Sequence, residues 1–345
     1  MPADRASAGP ALAVAGDAGA RAAVAPLARH FRAEFLADTG SGPGNVAEWR
    51  ARLASPRCPL LICGTSSTAA AWDAEALARR TARDLAVPLL CVEDFPGNYR
   101  HVPGGMPDLL VVEGGFSTRL YADRGDPPPP MIAIPPLRYD PLRGIRRRAD
   151  DPGAVPVLLW AGQPEPDHCL ATLRWLADAL GGRPCRLLFR AHPGDPARAT
   201  GFYSDVLAAI DPDWQDAGGI PLADALRREI HLVVTQFSSV AVEAGFLGIP
   251  ALFVLLPEAG GGSLLRLKGY PLPSLCAEGA AFAVTSPRGG GELHKALFDA
   301  GARAAVRARF ARCYATDAPV LPLVARRLER IMAGRAANPE QSANP

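Results

Sequence analysis

The chain of 345 residues lacks the long apolar runs and the one-sided charge that mark several large classes of protein. It contains no run of about 18 apolar residues, so we expect no membrane span. Its N-terminus has no basic stretch followed by an apolar one, so we expect no signal peptide. A net charge of +2 and the absence of a Lys/Arg-rich arm predict that the protein has no nucleic-acid partner.

Paired cysteines and the motifs of several enzyme classes are also missing. The seven cysteines are scattered and form no CxxC pair, which predicts free, mostly buried thiols in a reducing cytoplasm. There is no HExxH or HxD-type cluster, so we expect no protein-held metal ion and no cofactor. No GxSxG elbow and no Walker lysine motif occur, which argues against an α/β-hydrolase or a P-loop nucleotide site.

The sequence does contain a repeated alternation of short apolar strands with helices, in two halves of similar size. Such alternation predicts parallel sheets covered by helices. The predicted fold is therefore α/β, with two Rossmann-like domains. The predicted segments are a disordered lead 1–9, an N-terminal domain 10–137, a linker 138–153, a C-terminal domain 154–320, a closing helix 321–334 and a disordered tail 335–345.

The stretch 230–256 in the second half carries the clearest candidate for a ligand site. An apolar strand is followed by Ser238 and Ser239, and then by an apolar helix that carries Glu243. The hydroxyl groups at a helix N-terminus favour a phosphate there. Glu243 lies one turn further along the same side and suits the hydroxyl groups of a ribose. The alternative is that the two serines only cap a core helix.

Two further loops of the second half follow predicted strands. His192 comes directly after an apolar strand, and Pro193 keeps it out of helical geometry, so its ring is expected at the carboxyl end of that strand. An imidazole there can donate a hydrogen bond to a phosphate or to a leaving nucleotide. We assign Arg190 and Gly162, which also end strands, to the same phosphate-binding edge; for Arg190 a role as a surface partner is the alternative.

Polar residues also end the strands of the first half. Ligands of parallel sheets bind beyond the carboxyl ends of the strands. Of these residues, Glu93 and Asp94 are the best candidates for acid–base chemistry, because a carboxylate there could deprotonate an acceptor hydroxyl. The acceptor side is predicted to include Gly16, Asp17, Thr65 and Ser66. Asp17 is a rival base, Gly16 could simply form a tight turn, and the hydroxyl groups could cap a helix instead.

These motifs resemble those of GT-B glycosyltransferases, in which two Rossmann-like domains face each other across a cleft. Arg190–Pro193 is similar to the His-Pro motif of bacterial sialyltransferases and CDP-glycerol glycerophosphotransferases, and Phe237–Ser239 with Glu243 resembles their Ser-Ser motif. Glu93–Phe95 resembles their acidic motif, with Phe95 where a glycine is usual. The resemblance implies that the histidine and the serines hold the donor phosphates and that the acidic motif carries the general base. Thr235–Pro250 is also similar to the ribose-phosphate loop of UDP-N-acetylglucosamine 2-epimerases.

The sequence therefore predicts a cytoplasmic bacterial transferase. We expect it to move a sugar or polyol phosphate from a CMP-, CDP- or UDP-linked donor to an unknown hydroxyl acceptor, in surface polysaccharide or glycoconjugate biosynthesis. The alternatives are a nucleotide-sugar epimerase or hydrolase and a non-catalytic protein that binds a nucleotide sugar. The sequence allows a homodimer.

Overall fold

The computed structural model describes residues 10–36, 43–55, 58–124, 128–143, 145, 154–314 and 320–337. The predicted disordered lead, 1–9, lies outside this part of the chain. Contacts divide the chain into two compact units. The first consists of Met1–Pro141 together with Thr316–Pro345, and the second is Leu142–Ala315. Each unit is an α/β layer structure, as predicted.

The first unit is built on a sheet of six parallel strands in the order β2-β1-β3-β4-β5-β6. Its strands are β1 (Leu12–Val14), β2 (Glu34–Phe35), β3 (Leu61–Cys63), β4 (Leu89–Val92), β5 (Leu109–Glu113) and β6 (Met131–Ile134). Its helices are α1 (Ala18–His30), α2 (Pro43–Leu53), α3 (Ala69–Asp84) and α4 (Gly114–Ala122), with α13 (Leu321–Ala337) from the end of the chain.

The second unit repeats this plan with a sheet of six parallel strands in the order β12-β11-β10-β7-β8-β9. Its strands are β7 (Val157–Ala161), β8 (Arg186–Arg190), β9 (Gln215–Asp216), β10 (Leu232–Thr235), β11 (Ala251–Val254) and β12 (Phe282–Val284). Its helices are α5 (Pro166–Leu180), α6 (Ser204–Ile210), α7 (Leu222–Leu226), α8 (Val240–Phe246), α9 (Ser263–Lys268), α10 (Ser274–Ala277), α11 (Gly290–Phe298) and α12 (Ala300–Tyr314).

Each sheet has a point where the order of the strands reverses. In the first unit the chain passes from β1 to β2 on one side and then to β3 on the other, so the reversal lies between β1 and β3. In the second unit β8 and β9 lie on one side of β7, and β10 begins the other side. Connections leave these neighbouring strands in opposite directions, which opens a crevice beyond their carboxyl ends.

Side chains of the first sheet alternate between two cores, because successive residues of a strand point to opposite faces. Ala11, Ala13 and Ala15 pack with α1 and α13 on one face, and Leu12 and Val14 pack with α3 on the other. A helix therefore covers each face of the sheet, which fixes where the strands end and where their loops emerge.

Several predicted elements differ from the observed ones. The sequence pattern of 197–210 predicts a single helix, and the first half of that prediction is wrong, because 197–203 form turns around Gly201, which takes a φ of +74°. The helix α4 after Glu113 was not predicted, and Gly114 starts it from a φ of +67°. The elements β2, α2, α9 and α10 were also not predicted.

The predicted linker and the C-terminal segment also differ from the observed structure. Leu137–Leu142 form a 3-10 helix, and Tyr139 and Leu142 within the predicted linker are buried, so the first part of 138–153 is packed structure. Most of the remaining linker lies outside the described residues. The last helix extends to Ala337, three residues into the predicted tail, and it packs on the first unit through Val324 and Leu328. Residues 338–345 lie outside the described part.

Candidate functional site

Three loops meet at the carboxyl edge of the second sheet. They follow β7, β8 and β10, which are neighbours, and they carry Gly162, His192 and Ser238 respectively. The N–H of Gly162 donates to the carbonyl oxygen of Arg190 at 2.9 Å, which joins the first two loops. The hydroxyl of Thr235 donates to the carbonyl oxygen of Ala161 at 2.7 Å, which joins the first and third. The predicted phosphate-binding residues thus lie at the point where the strand order reverses.

The hydrogen bonding of His192 determines which of its two ring nitrogen atoms carries the proton and faces solvent. Its side chain is exposed, and its Nδ1 accepts a hydrogen bond of 3.0 Å from the N–H of Gly194. Because Nδ1 is an acceptor, the proton of the neutral ring is on Nε2. The loop around it is fixed by the buried side chain of Asp195, which accepts from the N–H of Ala197 at 2.7 Å and from the hydroxyl of Tyr203 at 2.7 Å. His192 is therefore a preset donor on a rigid loop.

The two serines lie in different environments. Ser238 is half-buried, its N–H donates to the hydroxyl of Thr235 at 3.3 Å, and its hydroxyl accepts from the N–H of Val240 at 3.2 Å. Ser239 is exposed at the start of α8, and its side chain does not cap the helix. Glu243 is half-buried in the first turn of α8. Because α8 has only seven residues, the hydroxyl groups have to contribute more than the helix dipole to any anion site.

The side chain of Arg190 binds a neighbouring loop of its own unit. Its Nη1 donates to the carbonyl oxygen of Ala217 at 2.8 Å and to that of Ile220 at 2.5 Å. These bonds hold the chain after β9 against the end of β8. The geometry favours a role in supporting the site, and the phosphate contact predicted for Arg190 stays a prediction.

A carboxyl group buried behind the edge of the first sheet joins the loops after β1 and β3. Glu75, on α3, is 2% exposed and accepts hydrogen bonds from the N–H of Gly16 at 3.3 Å, and from the N–H of Ser66 at 2.9 Å and its hydroxyl at 2.5 Å. Ser66 is fully buried, so its side chain holds the loops and does not reach the surface. Asp17 caps α1 through the N–H of Ala20 at 2.9 Å and also accepts from the N–H of Ser67 at 2.8 Å.

Asp94 follows β4 and keeps one carboxylate oxygen available. Its Oδ1 accepts from the hydroxyl of Thr65 at 2.8 Å and from Nδ2 of Asn98 at 2.8 Å. None of the described residues donates to its Oδ2. Burial raises the pKa of the Asp94 carboxyl, the bonds from Asn98 and Thr65 oppose that rise, and the charge of Asp17 adds to it. A carboxyl group with a raised pKa and an available oxygen is suited to accept a proton.

Both carboxylate oxygens of Glu93, the neighbour of Asp94, accept hydrogen bonds from other residues of the first unit. One oxygen accepts from the N–H of Gly97 at 2.8 Å and from the hydroxyl of Tyr121, and the other accepts from the N–H of Glu113 at 3.0 Å. Burial raises the pKa of Glu93. The arrangement favours Asp94 over Glu93 as a base, although the catalytic role of either residue stays a prediction.

Glu113, at the end of β5, is a third buried carboxyl at this edge. It is 5% exposed, and burial raises its pKa to about 7, against the opposing charge of Arg138. Glu113 and Arg138 line a cavity of about 20 Å³, which is about the room that one water molecule needs.

The sequence did not point to Glu75 or to Asn98 as residues that organise the candidate site. Glu75 lies in the middle of a helix, where a glutamate normally faces solvent, and only the three-dimensional structure brings it to the loops of β1 and β3. Asn98 follows Asp94 by four residues, and that spacing within a polar loop was the available signal. Among the described residues there is no group of three or more His, Cys, Asp or Glu that could hold a metal ion. None of the described helices is both long and apolar enough to cross a membrane.

No protein-family model matches the sequence, and a search of curated proteins also finds no match. Solved structures do match. A protein from Listeria monocytogenes described as a UDP-N-acetylglucosamine 2-epimerase has a TM-score of 0.59 at 12% identity, over 96% of this chain and 96% of that chain. Medicago truncatula UGT71G1, complexed with UDP-glucose, has a TM-score of 0.57 at 11% identity, over 96% and 100%. The wall teichoic acid polymerase TagF, soaked with CDPG, has a TM-score of 0.53 at 12% identity, over 97% and 92%.

The architecture of two six-stranded parallel sheets with flanking helices is that of the GT-B fold, as the sequence predicted. At these identities the similarity establishes the fold alone. The resemblance to sialyltransferases and the individual motifs are not tested by it and stay predictions.

Proposed function

We propose that the protein is a glycosyltransferase or polyol-phosphate transferase that uses a CMP-, CDP- or UDP-activated donor. The observation that carries the proposal is the junction of Gly162, His192 and Ser238 at the reversal point of the second sheet. Ligands of parallel α/β sheets bind at such points. The GT-B fold, with neighbours solved with UDP-glucose and CDPG, supports a nucleotide-activated donor.

The second unit would bind the donor. The Nε2–H of His192 and the hydroxyl groups of Ser238 and Ser239 donate to its phosphate oxygens, and Glu243 accepts from the ribose hydroxyls. Gly162 has no side chain, so the loop after β7 can approach the donor closely. Donors that are fixed before reaction stabilise the negative charge that develops on the leaving phosphate, and this is typically the largest catalytic contribution.

The first unit would bind the acceptor, with Asp94 as the base. For a sugar donor, the acceptor hydroxyl gives its proton to Oδ2 of Asp94 while its oxygen bonds to the sugar carbon that carries the nucleotide. The bond from that carbon to the phosphate oxygen breaks, and the nucleotide leaves with the electron pair. Thr65 and Asn98 hold Oδ1, so the carboxylate does not have to reorient during the reaction.

The proposal is tested by incubating the protein with CMP-, CDP- and UDP-activated sugars and CDP-glycerol, each with a panel of polyols and sugars. Mass spectrometry should find a product with the mass of an acceptor plus the transferred group, and Asp94→Asn should form about 10²-fold less of it, or less still, in the same time. Binding of a nucleotide without turnover of any pair would instead support a non-catalytic binding protein.

A nucleotide-sugar epimerase is the second candidate. Glu113, whose pKa is raised to about 7, could both take up and release a proton near neutral pH, as an epimerase requires. A new nucleotide sugar formed with no acceptor present would favour this reaction over transfer.

A further inference from the structure

Gly19 occupies a position that its backbone does not require to be glycine. It is the second residue of α1, it is exposed, and its φ is not positive. Glycine is less favourable than alanine inside a helix because it loses more backbone freedom on folding. The reason for a glycine here therefore has to be sought in the space that a side chain would fill.

That space lies over the available oxygen of the candidate base. A Cβ atom at Gly19 would be 3.0 Å from Oδ2 of Asp94 and 3.5 Å from Oδ1 of Asp17. The first distance is shorter than the separation at which non-bonded heavy atoms attract each other. Asp94 cannot easily turn away, because Thr65 and Asn98 hold its other oxygen.

Oδ2 of Asp94 has no donor among the described residues, although Asp94 is only 8% exposed. Oδ2 is not one of the fully buried polar atoms that lack a partner, so the small exposed part of Asp94 includes this oxygen and a small donor can reach it. The N–H groups of Ala18 and Gly19 also donate to no described residue, because the carboxylate of Asp17 accepts from the N–H groups of Ala20 and Ser67 instead. An oxygen without a donor thus lies against a helix N-terminus with free N–H groups.

We propose that Gly19 determines access to Asp94, because its missing side chain leaves Oδ2 open to a hydroxyl group of the acceptor. The hydroxyl donates to Oδ2, and its oxygen atom lies in the favourable field at the N-terminus of α1. The inference deepens the proposed function, on which it rests for the role of the hydroxyl as acceptor. It makes Gly19 a specificity-determining residue of the first unit.

The test compares Gly19→Ala with a matched control, Gly115→Ala. Gly115 is likewise the second residue of a helix that follows a strand of the same sheet, and it is exposed. A Cβ there would meet only Nη1 of Arg119, at 3.4 Å. Gly115→Ala should fold with a Tm equal to or above that of the wild type, and Gly19→Ala should fold with a smaller gain or a small loss in Tm, because its Cβ would lie 3.0 Å from Oδ2 of Asp94. Carbon-13 NMR of the aspartate carboxyl groups then follows Asp94, whose resonance is identified by its loss in Asp94→Asn.

Two results are expected from the NMR titrations. Gly19→Ala excludes water from Oδ2, so it should raise the pKa of Asp94 by about 0.5 or more, whereas Gly115→Ala should leave it unchanged. Glycerol, used as a probe hydroxyl compound, should move the Asp94 resonance in the wild type and in Gly115→Ala but not in Gly19→Ala. The charged groups that act on this carboxyl, Asp17, Arg138, Glu75 and Glu113, are the same in all three proteins.

An unchanged pKa in Gly19→Ala, or a wild-type Asp94 resonance that glycerol does not move, would overturn the inference. Neither result depends on nucleotide binding by the second unit. A failure of the subsite is therefore distinguishable from a failure of the proposed function, which is measured through the donor.

Discussion

The hydroxyl of Thr65 donates to Oδ1 of Asp94 at 2.8 Å, and the same hydroxyl oxygen accepts the N–H of Asp94 at 3.1 Å. This pair of bonds joins the loops after β3 and β4 and orients the carboxylate. Glu93, the preceding residue, has its carboxylate bound by the main chain and by Tyr121. Two adjacent acidic residues thus have different surroundings, and they should respond differently to substitution.

Replacing Asp94 by Asn should lower the transfer rate by about 10²-fold or more, because the amide cannot accept the proton of the acceptor hydroxyl. The dissociation constant for the nucleotide should stay unchanged, since Asp94 lies in the other unit. Transfer kinetics and calorimetry measure the two effects separately. A loss of nucleotide affinity in Asp94→Asn would contradict the role of a base.

Replacing Glu93 by Gln should instead lower stability. The amide NH₂ would face N–H and O–H donors where a carboxylate oxygen now accepts, which costs about 1–3 kcal/mol. The Tm should therefore fall, while any activity that remains keeps the pH profile of the wild type. A variant with an unchanged Tm and no activity would make Glu93, and not Asp94, the better candidate for the base.

Much of the fold follows from the sequence because parallel strands buried on both faces are continuous apolar runs. Leu109–Val112 is such a run, and the structure has β5 at Leu109–Glu113. The exposed edge strand β2 has only two residues and carries no such signal. The helix α4 was not predicted, because two glycines at its start, Gly114 and Gly115, are unfavourable in a helix; a positive φ at Gly114 is how it begins.

The positions of the candidate site residues along the sheets were also predictable, because the carboxyl ends of parallel strands share one edge. The order of the strands was not predictable, since it depends on which helices pack on which face. The sequence therefore could not locate the reversal points or bring Glu75 to Ser66. It also could not separate Glu93 from Asp94, because only the surrounding donors distinguish two adjacent carboxylates.

Replacing Arg190 by Ala should affect stability more than nucleotide affinity. Its guanidinium holds the carbonyl oxygens of Ala217 and Ile220, and hydrogen bonds to a charged group contribute about 1.5–3 kcal/mol. Thermal unfolding should show a lower Tm, whereas Arg186→Ala, an exposed arginine on the same strand, should not. A strong loss of nucleotide binding with an unchanged Tm would instead show that Arg190 contacts the phosphates of the nucleotide.

The free energy of unfolding of the first unit should fall as the pH rises from about 4.5 to about 7, because the pKa of Glu113 is raised from 4.5 to about 7 in the folded chain. In this range the folded state holds a proton that the unfolded state has released. The stabilisation is complete below the lower pKa and is lost as the pH rises through the upper one. The slope should be on the order of 1 kcal/mol per pH unit.

Thermal unfolding across this pH range measures the effect of Glu113. Glu113→Gln should show a flatter profile than the wild type, and Glu48→Gln, at an exposed position on α2, should keep the wild-type slope. Glu75, whose pKa is also raised to about 7, should leave a residual slope in Glu113→Gln. Equal slopes in the wild type and Glu113→Gln would show that folding does not raise the pKa of Glu113.

The most direct test of the central claim is calorimetric binding of CMP, CDP and UDP to the wild type and to His192→Ala. His192→Ala should keep the wild-type Tm, because the ring is exposed and accepts only the N–H of Gly194. The account predicts that one nucleotide binds the wild type and that its affinity falls about tenfold or more in the variant, as expected when a hydrogen bond to a charged group is lost. Absence of binding to all three nucleotides, or equal affinity in the two proteins, would contradict a donor site at the reversal point of the second sheet.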